Sequence, residues 1–338
     1  MTFVNFSKDT SMQYVELKSF GLPWEVCKTV DGSELGSPPI DEVNLRIDAA
    51  PINPAEILIM EGKYASKPPL PARLGIEGVG TITAIGNGVR GFAVGDRVMS
   101  MGRANWGQEI QVPASTLIKV SPDADLLQMA MLKVNPATAK FMLDRYVDLK
   151  PGDWVVQNAA NSAVGRYLIQ LAKAKGVHTL NIVRREGLEK ELSEMGADLV
   201  MLEGEDLPEK VRVELGDANI PLAFDAVAGK ATLTLGGILS EEGTVVNYGL
   251  LSGEPCQLNA DMVVFKGITL TGFWLAKTLG GMTADAKQQL YRVLEELVVS
   301  GQISTPVEAT YNLDQLEDAL RHAYRGGRSG KVLLLPNG

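Results

Sequence analysis

The stretch Asp153–Arg185, DWVVQNAANSAVGRYLIQLAKAKGVHTLNIVRR, decides the fold. Trp154–Val156 is a short apolar run, and Asn158–Gly165 is built from small residues. Leu168, Ile169, Leu171 and Ala172 then recur at helical spacing, and Gly176 supplies a stop. His178–Val183 is a second apolar run. The pattern is strand, turn, helix, strand. A dinucleotide pyrophosphate is expected at its turn, because N–H groups at a helix N-terminus point at the anion and the helix dipole favours its charge.

With Gly165 as the last glycine of G-x-G-x-x-G, Ala160 and Ser162 stand where the first two belong. Both are small enough to let the backbone approach a pyrophosphate, and Asn161 and Ser162 add side-chain donors. An ordinary strand-to-helix turn fits the same letters, so the end of the second strand carries weight. An NAD site wants an acidic residue there for the ribose 2′-hydroxyl. This chain has Arg184 and Arg185, a pair suited to a 2′-phosphate, and the expected cofactor is NADPH.

At 338 residues and 45% hydrophobic, the chain is long enough for two domains, each with its own core. A net charge of −9 with no basic block makes nucleic acid and anionic membrane poor partners. There is no apolar run of about 18 residues to cross a bilayer. The opening MTFVNFSKDTSMQ has neither a secretory core nor an arginine-rich transit pattern, so the expected compartment is the cytoplasm. Cys27, Cys256, His178 and His322 are the only residues of their types, and no spacing among them suits zinc. Both cysteines are expected unpaired and buried, His178 structural, and His322 on the surface.

Residues 1–12 read as a loose leader. Asp41–Ala50 alternates polar and apolar residues, as a half-exposed strand does. Asn53–Pro54 opens a short helix through Met60, and Gly62–Pro71 is a proline-rich loop holding Tyr64. Glycines at 75, 78, 80, 86, 88, 91 and 95 between β-branched pairs suggest a small antiparallel barrel. After Ser121–Pro122, strand patterns at 198–201, 222–226, 244–248 and 268–275 alternate with helical ones. Such alternation predicts a doubly wound parallel sheet. The C-terminal segment is expected to rejoin the barrel.

A glycine-punctuated barrel, a Rossmann domain and a short return segment together resemble the medium-chain dehydrogenase/reductase superfamily. The implied fold class is α/β, with a GroES-like catalytic domain (1–123 and 307–338) and a Rossmann domain (124–306). Where zinc alcohol dehydrogenases carry G-H-E, this chain reads Gly75-Ile76-Glu77-Gly78, and isoleucine cannot bind zinc. That points to the zinc-free branch, with no metal site. Within it, Gln157–Gly165, Val134-Asn135-Pro136 with Thr138-Ala139, Gly272-Phe273-Trp274-Leu275 and Gly62-Lys63-Tyr64 resemble the mitochondrial-type 2-enoyl thioester reductases. One departure is Arg184-Arg185-Glu186, where that family often shows Arg-Asp-Arg.

The resemblance implies Tyr64 as the catalytic group and Trp106 at the acyl pocket or in the core. It implies cofactor contacts from Asn135, from Asn161, Ser162, Ala163, Val164 and Gly165, and from Arg184 and Arg185. Further contacts are implied at Tyr248, Gly249, Leu250 and Leu251, at Phe273, Trp274 and Leu275, and at Lys331. The implied partners are an acyl thioester on CoA or acyl carrier protein and a second copy of the chain. The implied reaction is NADPH-dependent reduction of a 2-enoyl thioester. A zinc-free quinone or enone reductase, and an NADPH-binding protein without turnover, are the alternatives.

Overall fold

A computed structural model describes residues 11–338, and all counts below refer to these residues. The chain divides into two compact units, 1–133 with 306–338, and 134–305. Residues 124–133, expected with the second domain, belong to the first. There Asp125 caps a short helix, Leu126–Ala130, by accepting from Gln128 N at 2.8 Å, and Met129–Leu132 are fully buried. The leader expected over 1–12 lies largely outside the described residues, and Met12 already opens β1.

The first unit contains β1 (Met12–Leu17), β2 (Cys27–Gly32), β3 (Glu42–Pro51), β4 (Ala72–Arg73), β5 (Gly78–Ile85), β6 (Arg97–Ser100), β7 (Glu109–Pro113) and β8 (Leu117–Lys119). After the second unit the chain returns as β15 (Val307–Tyr311) and β16 (Lys331–Leu334). Strands β2-β1-β4 form one sheet, while β15-β16-β3-β5-β6-β8 form a larger one to which β7 adds beside β3. The expected half-exposed strand at 41–50 is instead the centre of this unit. β3 pairs with β5, β7 and β16, so Val43, Leu45 and Ile47 are fully buried, Asn44 between them is buried too, and only Arg46 is exposed.

The second unit contains β9 (Trp154–Gln157), β10 (His178–Val183), β11 (Leu199–Leu202), β12 (Leu222–Asp225), β13 (Thr244–Asn247) and β14 (Thr269–Gly272). All are parallel, in the order β11-β10-β9-β12-β13-β14. Apolar runs such as LAFD are buried on both faces, as helices on both sides of a parallel sheet require. The strand order reverses between β9 and β12, and there the carboxyl ends of the strands open a crevice. The strand expected over 268–275 stops at Gly272, because its neighbour β13 ends at Asn247. Phe273 N makes the last bond, to Asn247 O at 2.9 Å, and Leu275 begins a helix.

Candidate active site

Candidate site residues lie on both units, and each unit's set is described by itself. On the second unit β9 runs into the turn Asn158–Ser162, where Ala159 takes φ +48°. Ser162 caps the helix Ala163–Ala174 by accepting from Gly165 N at 3.2 Å. A Cβ on Gly165 would stand 2.5 Å from Ala160 O, so only glycine lets helix and turn meet here. Arg166, 1% exposed, holds the turn from beneath: its Nε donates to Asn161 O at 3.0 Å and its Nη1 to Glu191 at 2.6 Å. Asn161, Ser162, Ala163 and Val164 stay half-buried, facing outward from that support.

A polar network that sequence reasoning missed laces the strand ends together. The Asp225 carboxylate, fully buried, accepts from Asn158 Nδ2 (2.7 Å), Val227 N (2.9 Å), Ala228 N (2.9 Å) and Thr232 Oγ1 (2.6 Å). Asn158 Oδ1 in turn accepts from Ala226 N at 2.8 Å. The loops after β9 and β12 are thus one rigid piece at the sheet's switch point. The available signal was a carboxylate closing the apolar run LAFD, since a charge there needs internal partners.

Around this piece lie the other expected contacts. Arg184 (exposed) and Arg185 (half-buried) follow β10 at its carboxyl end, beside the turn. Tyr248 follows β13, its N–H bonded to Asp225 O at 2.9 Å, and burial pushes its phenol well above the usual range. A Cβ on Gly249 would meet Ala226 O at 2.4 Å, so this loop also packs backbone to backbone. Leu250 and Leu251 are exposed. Phe273 is buried against Phe141, while Trp274 is 41% exposed and Leu275 half-buried. Asn135 is buried at the start of the helix Asn135–Arg145. A glycine cradle closed to any Cβ, outward-facing small residues and a guanidinium pair fit a 2′-phosphorylated dinucleotide.

On the first unit, Tyr64 is half-buried against the barrel core. Its N–H and that of Lys63 both bond to Leu58 O, at 3.1 and 2.8 Å, in the last turn of the helix Pro54–Met60. The same loop, through Ser66–Pro69, walls a cavity of about 300 Å³. Ile59, Leu74 and Ile76 give the cavity apolar surface, Arg73 and Arg103 border it, and Glu56 contributes a buried carboxyl.

Two of the expected contacts lie buried in the first unit. Trp106 does not line an open pocket. It is 1% exposed in the barrel core, with Nε1 donating to Pro51 O at 3.2 Å. Lys331 is buried in the first unit, where Nζ donates to Ile52 O at 3.1 Å and Asn53 Oδ1 at 2.5 Å. These bonds engage Lys331 within the first unit. His322 is not a surface residue: it lies between Tyr311 Oη and Glu308 Oε1, both at 2.8 Å. His178 stacks on Trp154 and bonds Asp198 at 2.8 Å. Both cysteines are free thiols, but Cys256 is only partly buried. Among the described residues no group of three or more His, Cys, Asp or Glu side chains could hold a metal ion.

Residues 39–121 match the alcohol dehydrogenase GroES-like domain, and 163–298 match the zinc-binding dehydrogenase domain. The mitochondrial enoyl-[acyl-carrier-protein] reductase of Rattus norvegicus is 35% identical over 337 residues, covering 97% of this chain and 90% of the rat protein. Two solved structures share the fold at close to full length. One is the Candida tropicalis reductase Etr1p in complex with NADP and crotonyl-CoA (TM-score 0.87, 25% identity, 96% of this chain and 99% of that one). The other, from Bacillus thuringiensis, is described as a candidate NADPH:quinone reductase (0.88, 26%, 96% and 99%). A GroES-like unit joined to a Rossmann unit with this cradle defines a medium-chain dehydrogenase/reductase. The identity to the rat protein over nearly all of both chains narrows the class: this chain belongs to the enoyl thioester reductase family, NADPH-dependent oxidoreductases acting on a CH–CH bond.

Proposed function

We propose that the chain reduces the Cα=Cβ bond of a 2-enoyl group carried on a phosphopantetheine thioester, with Tyr64 donating to the thioester oxygen. NADPH, when bound, supplies the hydride that Cβ receives. The protein's own tasks are to orient the two reactants and to stabilise the charge that develops on the thioester oxygen. Asn161–Gly165 take the pyrophosphate, and Arg184 and Arg185 the 2′-phosphate. A phenol hydroxyl such as that of Tyr64 can donate a hydrogen bond or a proton. The observation that carries this reading is its tether to Leu58 O in the loop that walls the cavity. The apolar walls suit an acyl chain, and Arg73 and Arg103 at the border suit a carrier phosphate.

Tyr64→Phe removes one hydroxyl and almost no volume. Turnover of crotonyl-CoA should fall roughly 10²–10⁴-fold with NADPH affinity unchanged. Retention of more than about half the wild-type kcat would refute the role, and faster turnover of a simple quinone than of any enoyl thioester would move the substrate to the quinone class.

We also propose that two copies associate along β14. It is the edge of its sheet, and Leu270 (40% exposed), Val264 (69%), Phe265 (85%) and Trp274 (41%) form an apolar margin beside it. A solution mass of a single 36.3 kDa chain would refute this.

A further inference from the structure

The helix whose last turn holds Tyr64 begins in a cluster of buried charges. Asn53, just before Pro54, is the hub. Its N–H donates to Glu56 Oε2 at 3.0 Å, and its Nδ2 donates to Glu77 Oε1 at 2.8 Å. Its Oδ1 accepts from Lys331 Nζ at 2.5 Å. Glu56 reaches further than a helix cap needs to, because its second oxygen, Oε1, accepts from Ile76 N at 2.8 Å. Glu56 and Glu77 are fully buried and Lys331 nearly so. Lys133 fixes the other side of Ile76: its Nζ donates to Ile76 O, to Met101 O at 2.9 Å and to Gly102 O at 3.0 Å.

We infer that Glu56 is a positioning residue for Tyr64. The helix Pro54–Met60 is seven residues long, about 10 Å at 1.5 Å per residue. It is therefore a short, stiff lever with Tyr64 bonded to its last turn and Glu56 in its first. Glu56 ties the lever's start to Ile76, a residue that lines the same cavity as the tyrosine loop. One carboxylate thus fixes the spacing between the loop that carries the phenol and the opposite wall. A cap alone would need only the bond from Asn53 N. The bond to Ile76 N has no role in capping and lies 20 residues away in sequence. Such a tie matters to chemistry because a donor displaced by even 1 Å loses much of its effect.

The test is a double-mutant cycle between Glu56→Gln and Tyr64→Phe, read as kcat on crotonyl-CoA in the full chain. The inference rests on the reading of Tyr64 as donor. Gln keeps the volume but turns an N–H₂ toward one of the two backbone N–H groups, so one tie is lost. With Tyr64 present, Glu56→Gln should lower kcat about 10- to 100-fold. In the Tyr64→Phe background it should change kcat by less than about twofold, because the positioned group is gone. NADPH affinity should not move in either. Equal loss in both backgrounds would mean a general structural role and overturn the positioning inference, leaving the Tyr64 role intact. A silent Tyr64→Phe would overturn both. If Glu56→Gln does not fold, Glu56→Asp serves in its place. The shorter carboxylate keeps the charge but cannot span Asn53 N and Ile76 N together, and the same non-additivity is expected.

Discussion

Each unit buries carboxylates completely, and the two do it by opposite means. In the Rossmann unit Asp225 is surrounded by neutral donors: two backbone N–H groups, two amides and a hydroxyl. In the barrel unit Glu56 and Glu77 share a cluster with the Lys331 ammonium, and Lys133 lies close by. Neutral dipoles fixed by the backbone hold a charge without a counter-ion and lock the loops that donate. Ammonium partners leave a cluster whose protons are shared. Burial pushes Glu56 up to about 7, with Ile76 N–H, Lys331 and Asn53 N–H opposing and Glu77 assisting. Burial likewise brings Lys331 down to about 8 against the pull of Glu77 and Glu56. The part that must present small, unmoving N–H groups to a phosphate uses the rigid solution. The part that carries Tyr64, the proposed donor, uses the titratable one.

The largest expected effect breaks the Rossmann side of this comparison. Asp225→Ala strips Asn158 Nδ2, Val227 N, Ala228 N and Thr232 Oγ1 of their acceptor at once and removes one of the acceptors of Asn247 Nδ2. At roughly 1–3 kcal/mol for each buried group left unsatisfied, and with some relaxation, the loss should be about 4 kcal/mol. Urea unfolding of the full chain measures it, and NADPH affinity should fall with it because Asn158 and the turn lose their anchor. A loss below about 1 kcal/mol would show that the network does not brace these loops.

What could be read in the sequence follows the same division. The central parallel strands β9, β10, β12 and β13 were legible because each is a largely apolar run with little exposure, needing no knowledge of partners, while the edge strands β11 and β14 are more exposed. The turn between β9 and the helix Ala163–Ala174 was legible for a similar reason, since its signal is local to Asn158–Gly165. Tyr64 stood out in a proline-bounded loop. By contrast, Asn53, Glu56, Glu77 and Lys331 look like surface residues in any local window. Only the pairing of β16 with β3 brings Lys331 to Asn53, 278 positions away. His322 misled because Tyr311 and Glu308 on β15 cover it, and the core alternative for Trp106 holds because Pro51 O, 55 positions away, accepts from its indole. β3 alternates as a half-exposed strand does, and only its three partners reveal it as the core.

The smaller effects concern pH, and they sharpen the contrast within the barrel unit itself. Glu56 has a folded value above the ordinary 4.5, so folding takes up a proton. Its contribution is full below pH 4.5 and is lost as pH rises through about 7. Glu308 is the reverse case. Burial alone would raise it, but His322, Ser329 N–H, Arg325 and Gly330 N–H bond to its carboxylate and hold it down at about 2. Its contribution is present above pH 4.5 and is lost as pH falls toward 2. Profiles of Tm against pH separate the two. Glu56→Gln should flatten the decline between pH 4.5 and 7, and Glu308→Gln should flatten the rise between pH 2 and 4.5. The Glu308 effect should be the smaller, about 2 °C, because Arg325 is 64% exposed and water screens the pair. Added salt should shrink it further and leave the Glu56 slope in place. A Glu308→Gln profile parallel to wild type below pH 4.5, or a Glu56 slope that salt erases, would mean that the cluster taken here as buried is open to water.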